Sequence, residues 1–179
     1  MSLATVNIET MDGRPSVVEV RQGPVGPTGP PVGNLPRAQI SILSNTTPTV
    51  IAAIDTYVQA GVVGTLDDTT DIDFTALNTG KFGVKYIGTE TKTFWIFALS
   101  ELADGNNKMF AMRLAKNGTS IAASESQGHT GTAGAEAAIV TTWMVSLATN
   151  DEMSIMLANV SNTDDLTIKR ARLVINCIP

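Results

Sequence analysis

The chain has one cysteine, one histidine and few charged residues. Cys177 has no second cysteine to pair with, so no intrachain disulfide can form, as expected for a protein made in a reducing cytoplasm. A nucleophilic role for Cys177 needs a base, and the sole histidine, His129, lies far away in a glycine-rich stretch. Cys177 is therefore expected to act as a small core or interface hydrophobe. Lysine and arginine total 12 against 17 acids, with no basic run, so the electrostatic footprint of a nucleic-acid binder is missing. No apolar run is long enough to span a bilayer, and Met1 to Thr5 lack the charged and apolar regions of a signal peptide. Neither a membrane nor a secretory route is expected, and the Asn-x-Ser/Thr triplets at Asn45, Asn117 and Asn159 are expected to stay unmodified. There is no nucleophile elbow, phosphate-binding glycine loop, zinc-ligand spacing or redox cysteine pair. The expectation is a protein that is not an enzyme and needs no cofactor or metal.

What is present points to assembly. Apolar residues make up 43% of the 179 positions and charged residues only 16%, which implies that a partner covers some apolar surface. Residues Gly23 to Pro31 read Gly-Pro-Val, Gly-Pro-Thr, Gly-Pro-Pro. Collagen winds three extended chains together, and only glycine fits at the crowded axis, here Gly23, Gly26 and Gly29. The tract alone reads equally as one strand of a short triple helix or as a stiff proline-rich spacer. Three triplets are too few to hold three chains together unaided.

The chain divides into three parts. Residues 1–22 alternate Val6 and Ile8 with polar neighbours, then Val18 and Val20, around an Asp12-Gly13 turn signal. They read as a hairpin or two extended arms, too small to be stable alone, and Val6, Ile8, Val18 and Val20 are the candidate anchoring residues. Pro15 places the return strand at an edge or shortens it. Residues 23–36 form the tract and its exit, and the nine residues of the tract make a neck of roughly 30 Å at most. Residues 37–179 form the body.

In the body, short apolar or alternating segments are separated by turn residues, the pattern of an all-β antiparallel sandwich. The segments centre on Ile40 and Ile42; Phe82 to Tyr86; Phe94 to Leu99; Phe110 to Leu114; Trp143 to Leu147; Ser154 to Ala158; and Leu173 to Ile178. Asn117-Gly118 is a hairpin turn signal. Thr49 to Gly61 combines helical apolar spacing with β-branched residues and reads as either a strand or a short helical turn. Three strands are apolar on both faces, whereas an antiparallel sheet with one wet face should alternate cleanly. The expected explanation is a subunit interface, with Trp95, Phe97, Ile155, Leu157 and Val174 as its candidate residues.

Four stretches carry a family resemblance: Asn78 to Val84, with glycines flanking an aromatic-led strand; Phe110 to Gly118; Asn150 to Leu157; and Asp165 to Ile175. In this order they resemble the tumour-necrosis-factor-like jelly roll, which is also seen in complement globular heads and in phage and bacterial surface proteins. The resemblance covers about four-fifths of the chain, and a collagen-like tract before such a head matches the family's layout. It implies an antiparallel jelly-roll head on a short collagen-like neck, assembled as a homotrimer. The short tract, single cysteine and missing signal peptide make the chain look like a bacteriophage virion protein: a head fibre or capsid decoration on the virion surface, synthesised in the host cytoplasm. Its expected partners are two further copies of itself and a capsid or tail protein held by residues 1–22. A receptor- or glycan-binding tail fibre head is the alternative, with Trp143 or the His129 loop as its site. A bacterial spore-surface filament is a third, but it would normally carry many more triplets.

Three other groups carry polar or charged side chains of possible chemical use. His129 lies in Gly128 to Gly134, expected to be a loop rather than a metal ligand. Asp67, Asp68, Asp71 and Asp73 lack the glycine and distal glutamate of a calcium loop and read as a solvated turn. If Ala171, Leu173 and Ile175 point inward, Arg170 and Arg172 share the opposite face, either solvated or set against acids of a neighbouring subunit.

Overall fold

The computed structural model describes residues 5–9, 15–19, 35–67, 73–78, 80–103, 107–132 and 135–179. The chain separates into two compact units, Met1–Asn34 and Leu35–Pro179. In the first unit β1 (Thr5–Glu9) pairs antiparallel with β2 (Pro15–Glu19), Val6 opposite Val18 and Ile8 opposite Ser16. Pro15 is the first residue of its strand, where its missing N–H costs the ladder least. The collagen-like glycines Gly23, Gly26 and Gly29, and the anchoring candidate Val20, lie outside the described residues.

The second unit stacks two antiparallel sheets. One has the strand order β12 (Ala137–Leu147), β8 (Lys92–Ala103), β14 (Thr167–Cys177), β3 (Arg37–Ile42), β5 (Thr65–Leu66). The other runs β10 (Thr119–Ser120), β9 (Met109–Lys116), β13 (Glu152–Asn159), β7 (Gly83–Tyr86), β6 (Phe74–Ala76). In addition β11 (Ser126–His129) pairs with β9, and β4 (Val58–Gln59) with β13. A 3₁₀ turn covers Ala122–Ser124. Apart from the consecutive pairs β9–β10 and β6–β7, most neighbouring strands are far apart in sequence, as in a jelly roll.

Period-two alternation sends one face of each sheet inward. Phe94, Ile96, Phe110, Met112, Leu114, Leu173 and Ile175 meet between the sheets and are inaccessible to solvent. Phe74, Tyr86 and Phe94 form an aromatic cluster with ring centroids 5.1–5.5 Å apart. The buried Tyr86 hydroxyl donates to the Glu90 carbonyl at 2.8 Å, so its polar end is satisfied. Asn117 (φ +52°) and Gly118 (φ +76°) make the expected tight turn between β9 and β10.

Thr49 to Gly61 is neither a continuous strand nor a helix. Thr49 bridges to Leu166, a turn follows at Ile54 and Asp55, and β4 then lies along β13. This strap thus joins the second sheet beside β13, and the Gln59 amide donates to the Ser154 hydroxyl at 3.0 Å. Tyr57 secures it: its hydroxyl donates to Glu125 at 2.9 Å, and the Arg113 guanidinium lies 3.9 Å from the centre of its ring. Arg113 in turn pairs with Glu125.

The strap and the adjoining strands explain why β13 is apolar on both faces. Ile155 and Leu157 are wholly buried in this unit's own core, and Ser154 and Met156 beneath the strap's end are nearly so. Ile155 and Leu157 therefore belong to the sandwich and not to a subunit interface. Their doubly apolar pattern has an intramolecular cause.

Candidate functional site

Among the described residues of the second unit, nothing covers the outer face of the five-stranded sheet in this way. Register places its outward side chains in rows across the strands. Met144 (β12), Trp95 (β8), Asn176 (β14) and Arg37 (β3) share one row, followed by Thr142, Phe97, Val174 and Gln39. The third row is Val140, Leu99, Arg172 and Ser41, and the fourth holds Ala138, Glu101 and Arg170. The apolar members gather on β12 and β8 and spread to Val174. Met144 is 63% exposed, Val140 42% and Trp95 41%, while Phe97, Leu99 and Val174 are half-buried by one another. The Trp95 and Phe97 rings lie 6.3 Å apart and tilted by 36°.

Towards β14, β3 and β5 the face becomes polar. Arg170 pairs with Glu101 across the strands at 3.3 Å. The Asp67 carboxylate accepts from the Gln39 amide at 2.8 Å and from the Ser41 hydroxyl at 2.6 Å. Arg37, Gln39, Asp67, Val174 and Asn176 border a shallow cleft of about 450 Å³. A continuous apolar stripe beside a polar margin is the anatomy of a protein interface, and an apolar sheet face left to water is an aggregation hazard.

Trp95, Phe97 and Val174 thus stand together on one uncovered face, whereas Ile155 and Leu157 do not. Val140, Met144 and Leu99 belong to the same face and were not among the candidates. Their signal was the alternation of Ala138, Val140, Thr142 and Met144 against Ile139, Thr141 and Trp143. Trp143 packs against the core, which removes it from any loop-borne site. Ala171, Leu173 and Ile175 point inward, so Arg170 and Arg172 share the outer face.

The polar residues with possible chemistry mostly serve the framework. Asn159 is buried; its side-chain oxygen accepts from the Ser161 and Asn162 N–H groups, and its amide donates to the Asp164 carbonyl. The Asn45 amide donates to the Thr47 and Ile168 carbonyls, and that of Asn117 to the Asp151 carboxylate. All three Asn-x-Ser/Thr asparagines are therefore occupied in the fold. Burial opposes ionisation of Asp151, but hydrogen bonds from Asn117, Lys116 and the Ala148 N–H outweigh it and hold its carboxyl below the ordinary range. Burial pushes the Cys177 thiol up, away from a reactive thiolate. His129 lies exposed on β11 opposite Met109. Among the described residues no three His, Cys, Asp or Glu side chains group as metal ligands would.

No protein-family model matches the chain. No curated protein sequence matches it either. Solved structures do share its fold. The vertex protein P5 of PRD1 aligns with a TM-score of 0.53 at 9% identity, over 82% of this chain and 99% of that one. Murine APRIL aligns at 0.51 and 9% identity, over 79% and 99%. The globular domain of zebrafish complement 1qA protein aligns at 0.49 and 10% identity, over 82% and 98%. The body is therefore an antiparallel jelly roll that shares its fold with murine APRIL and the PRD1 vertex protein.

Proposed function

We propose that the chain is a structural protein of a bacteriophage particle: a homotrimeric head fibre or capsid decoration displayed on the virion surface. The observation that carries this reading is the uncovered apolar face of Trp95, Phe97, Leu99, Val140, Met144 and Val174. Covering it with further copies removes apolar area from water at about 25 cal/mol per Å². The collagen-like triplets favour three copies running parallel. The likeness to the PRD1 vertex protein favours a phage particle as the setting. In this reading the β1–β2 hairpin anchors each chain to a capsid or tail protein, and three linked anchors hold far more firmly than one through effective concentration.

Sedimentation of the full chain at micromolar concentration tests the assembly. A trimer of the 18.8 kDa chain is expected, and a monomer would overturn the reading. Immunogold labelling of phage particles tests the location, with label expected on the virion surface.

One observation favours display of a receptor- or glycan-binding head. The loops at the end of the sandwich remote from Leu35 leave Leu43, Ile54 and Met109 exposed. Binding of the full protein to host cells separates the readings; decoration alone predicts none.

A further inference from the structure

Among the described residues six cations are matched to an acid, whereas Lys81, Lys169 and Arg172 are not. Lys85, Lys92, Lys108, Arg113, Lys116 and Arg170 each lie against a carboxylate. Arg172 does not. It is exposed in the third row of the apolar face, between Leu99 on β8 and Ser41 on β3, and no carboxylate lies within 4.0 Å of it among the described residues. The nearby acids are already engaged: Glu101 with Arg170, and Asp67 with Gln39 and Ser41.

In water an unpaired surface guanidinium costs nothing. Under a covering partner its position changes. A guanidinium taken out of water without a counter-charge is strongly unfavourable, and its rigid fork matches a carboxylate through two parallel hydrogen bonds. A face that buries Leu99 must also dehydrate or capture Arg172 beside it. The chain itself has carboxylates to offer, with a net charge of −5. Glu136, exposed just ahead of β12, has no ion pair among the described residues.

We infer that Arg172 takes a carboxylate from the neighbouring copy, and that this contact sets the register of the trimer while the apolar stripe supplies most of its affinity. The inference rests on the homotrimer reading above. A closed threefold ring needs a heterologous contact, in which one surface meets a different surface of the next copy. Apolar burial is non-directional and tolerates sliding. A charged pair at the margin of the stripe does not, and it penalises misaligned or foreign surfaces that would leave Arg172 unpaired.

Sedimentation equilibrium of the full chain at low and high sodium chloride tests this, with wild type, Arg172→Met, Arg172→Lys and Arg172→Glu. Methionine keeps the aliphatic bulk and removes the charge. Circular dichroism confirms that each variant is folded. Wild type is expected to be trimeric and to dissociate more readily as salt rises. Arg172→Met is expected to raise the dissociation constant about tenfold or more and to flatten the salt response. Arg172→Lys should keep the salt response with part of the affinity, and Arg172→Glu should be weakest. If wild type is trimeric but Arg172→Met matches it in affinity and salt response, the inference is overturned and the homotrimer stands. If wild type is monomeric throughout, the homotrimer reading fails and the inference with it.

Discussion

Single residues show two kinds of glycine in this fold. Gly118 is legible from its neighbours: Asn-Gly after an alternating strand demands a turn with positive φ, and the turn is there. Gly83 is not legible in this way, because its reason lies seventy residues further along the chain. A Cβ on Gly83 would sit 2.2 Å from the Met153 carbonyl oxygen and 2.8 Å from the Ser154 Cα, both backbone atoms of β13. No flexible side chain can yield there; β7 and β13 would have to separate. Gly83→Ala is expected to destabilise the sandwich by about 2 kcal/mol or more, read as a lower urea midpoint with an unchanged slope. The same distance in sequence explains Ile155 and Leu157. Alternation shows that both faces of β13 are apolar, but it does not say whether a strap or another subunit covers the outer one.

Among the elements, the long strands were readable from period and turn chemistry, while the strap over Thr49–Gly61 was not. Its helical spacing and its β-branched residues argue for different structures. The outcome depends on long-range contacts: the Thr49 bridge to Leu166, the Asp55 N–H to the Asn159 carbonyl, and Tyr57 against Arg113 and Glu125. The Tyr57–Arg113–Glu125 group has a pH signature. Hydrogen bonds from Arg113, Gln127 and Tyr57 hold the Glu125 carboxyl below its ordinary value of 4.5. A carboxyl depressed in the folded state stabilises above its unfolded pKa, and that contribution is lost as pH falls through the folded one. The melting temperature should therefore fall on acidification below about 4.5. Asp151 and Asp164, held low by their own partners, add to the decline with the same sign. Glu125→Gln should melt lower than wild type at neutral pH and show a shallower decline in acid. Equal slopes for the two proteins, followed by thermal melts across that range, would mean that Glu125 does not carry the linkage.

For the whole molecule, the central question is which part makes the assembly and which reports it. The outward face of β8 was legible, since Trp95, Phe97 and Leu99 are apolar where a wet sheet should be polar. The contribution of β12 emerged only once register set Met144 beside Trp95 and Val140 beside Leu99. If this face drives trimerisation, a charge at its most exposed point is the sharpest probe. Met144→Lys leaves the core untouched, because Met144 points away from it, and it should shift the sedimentation equilibrium towards monomer. The neck should behave in the opposite way. Three Gly-Pro triplets are too few to hold three chains together unaided, so in the proposed trimer they would not carry the association. Held in register by three joined heads, however, they would lie at high effective concentration and could wind. In such a neck, Gly26→Ala would place a methyl at the crowded axis. It should speed proteolysis between residues 20 and 36 while leaving the sedimentation coefficient that of a trimer. If Gly26→Ala yields monomers instead, the neck makes the trimer and the apolar face must find another partner.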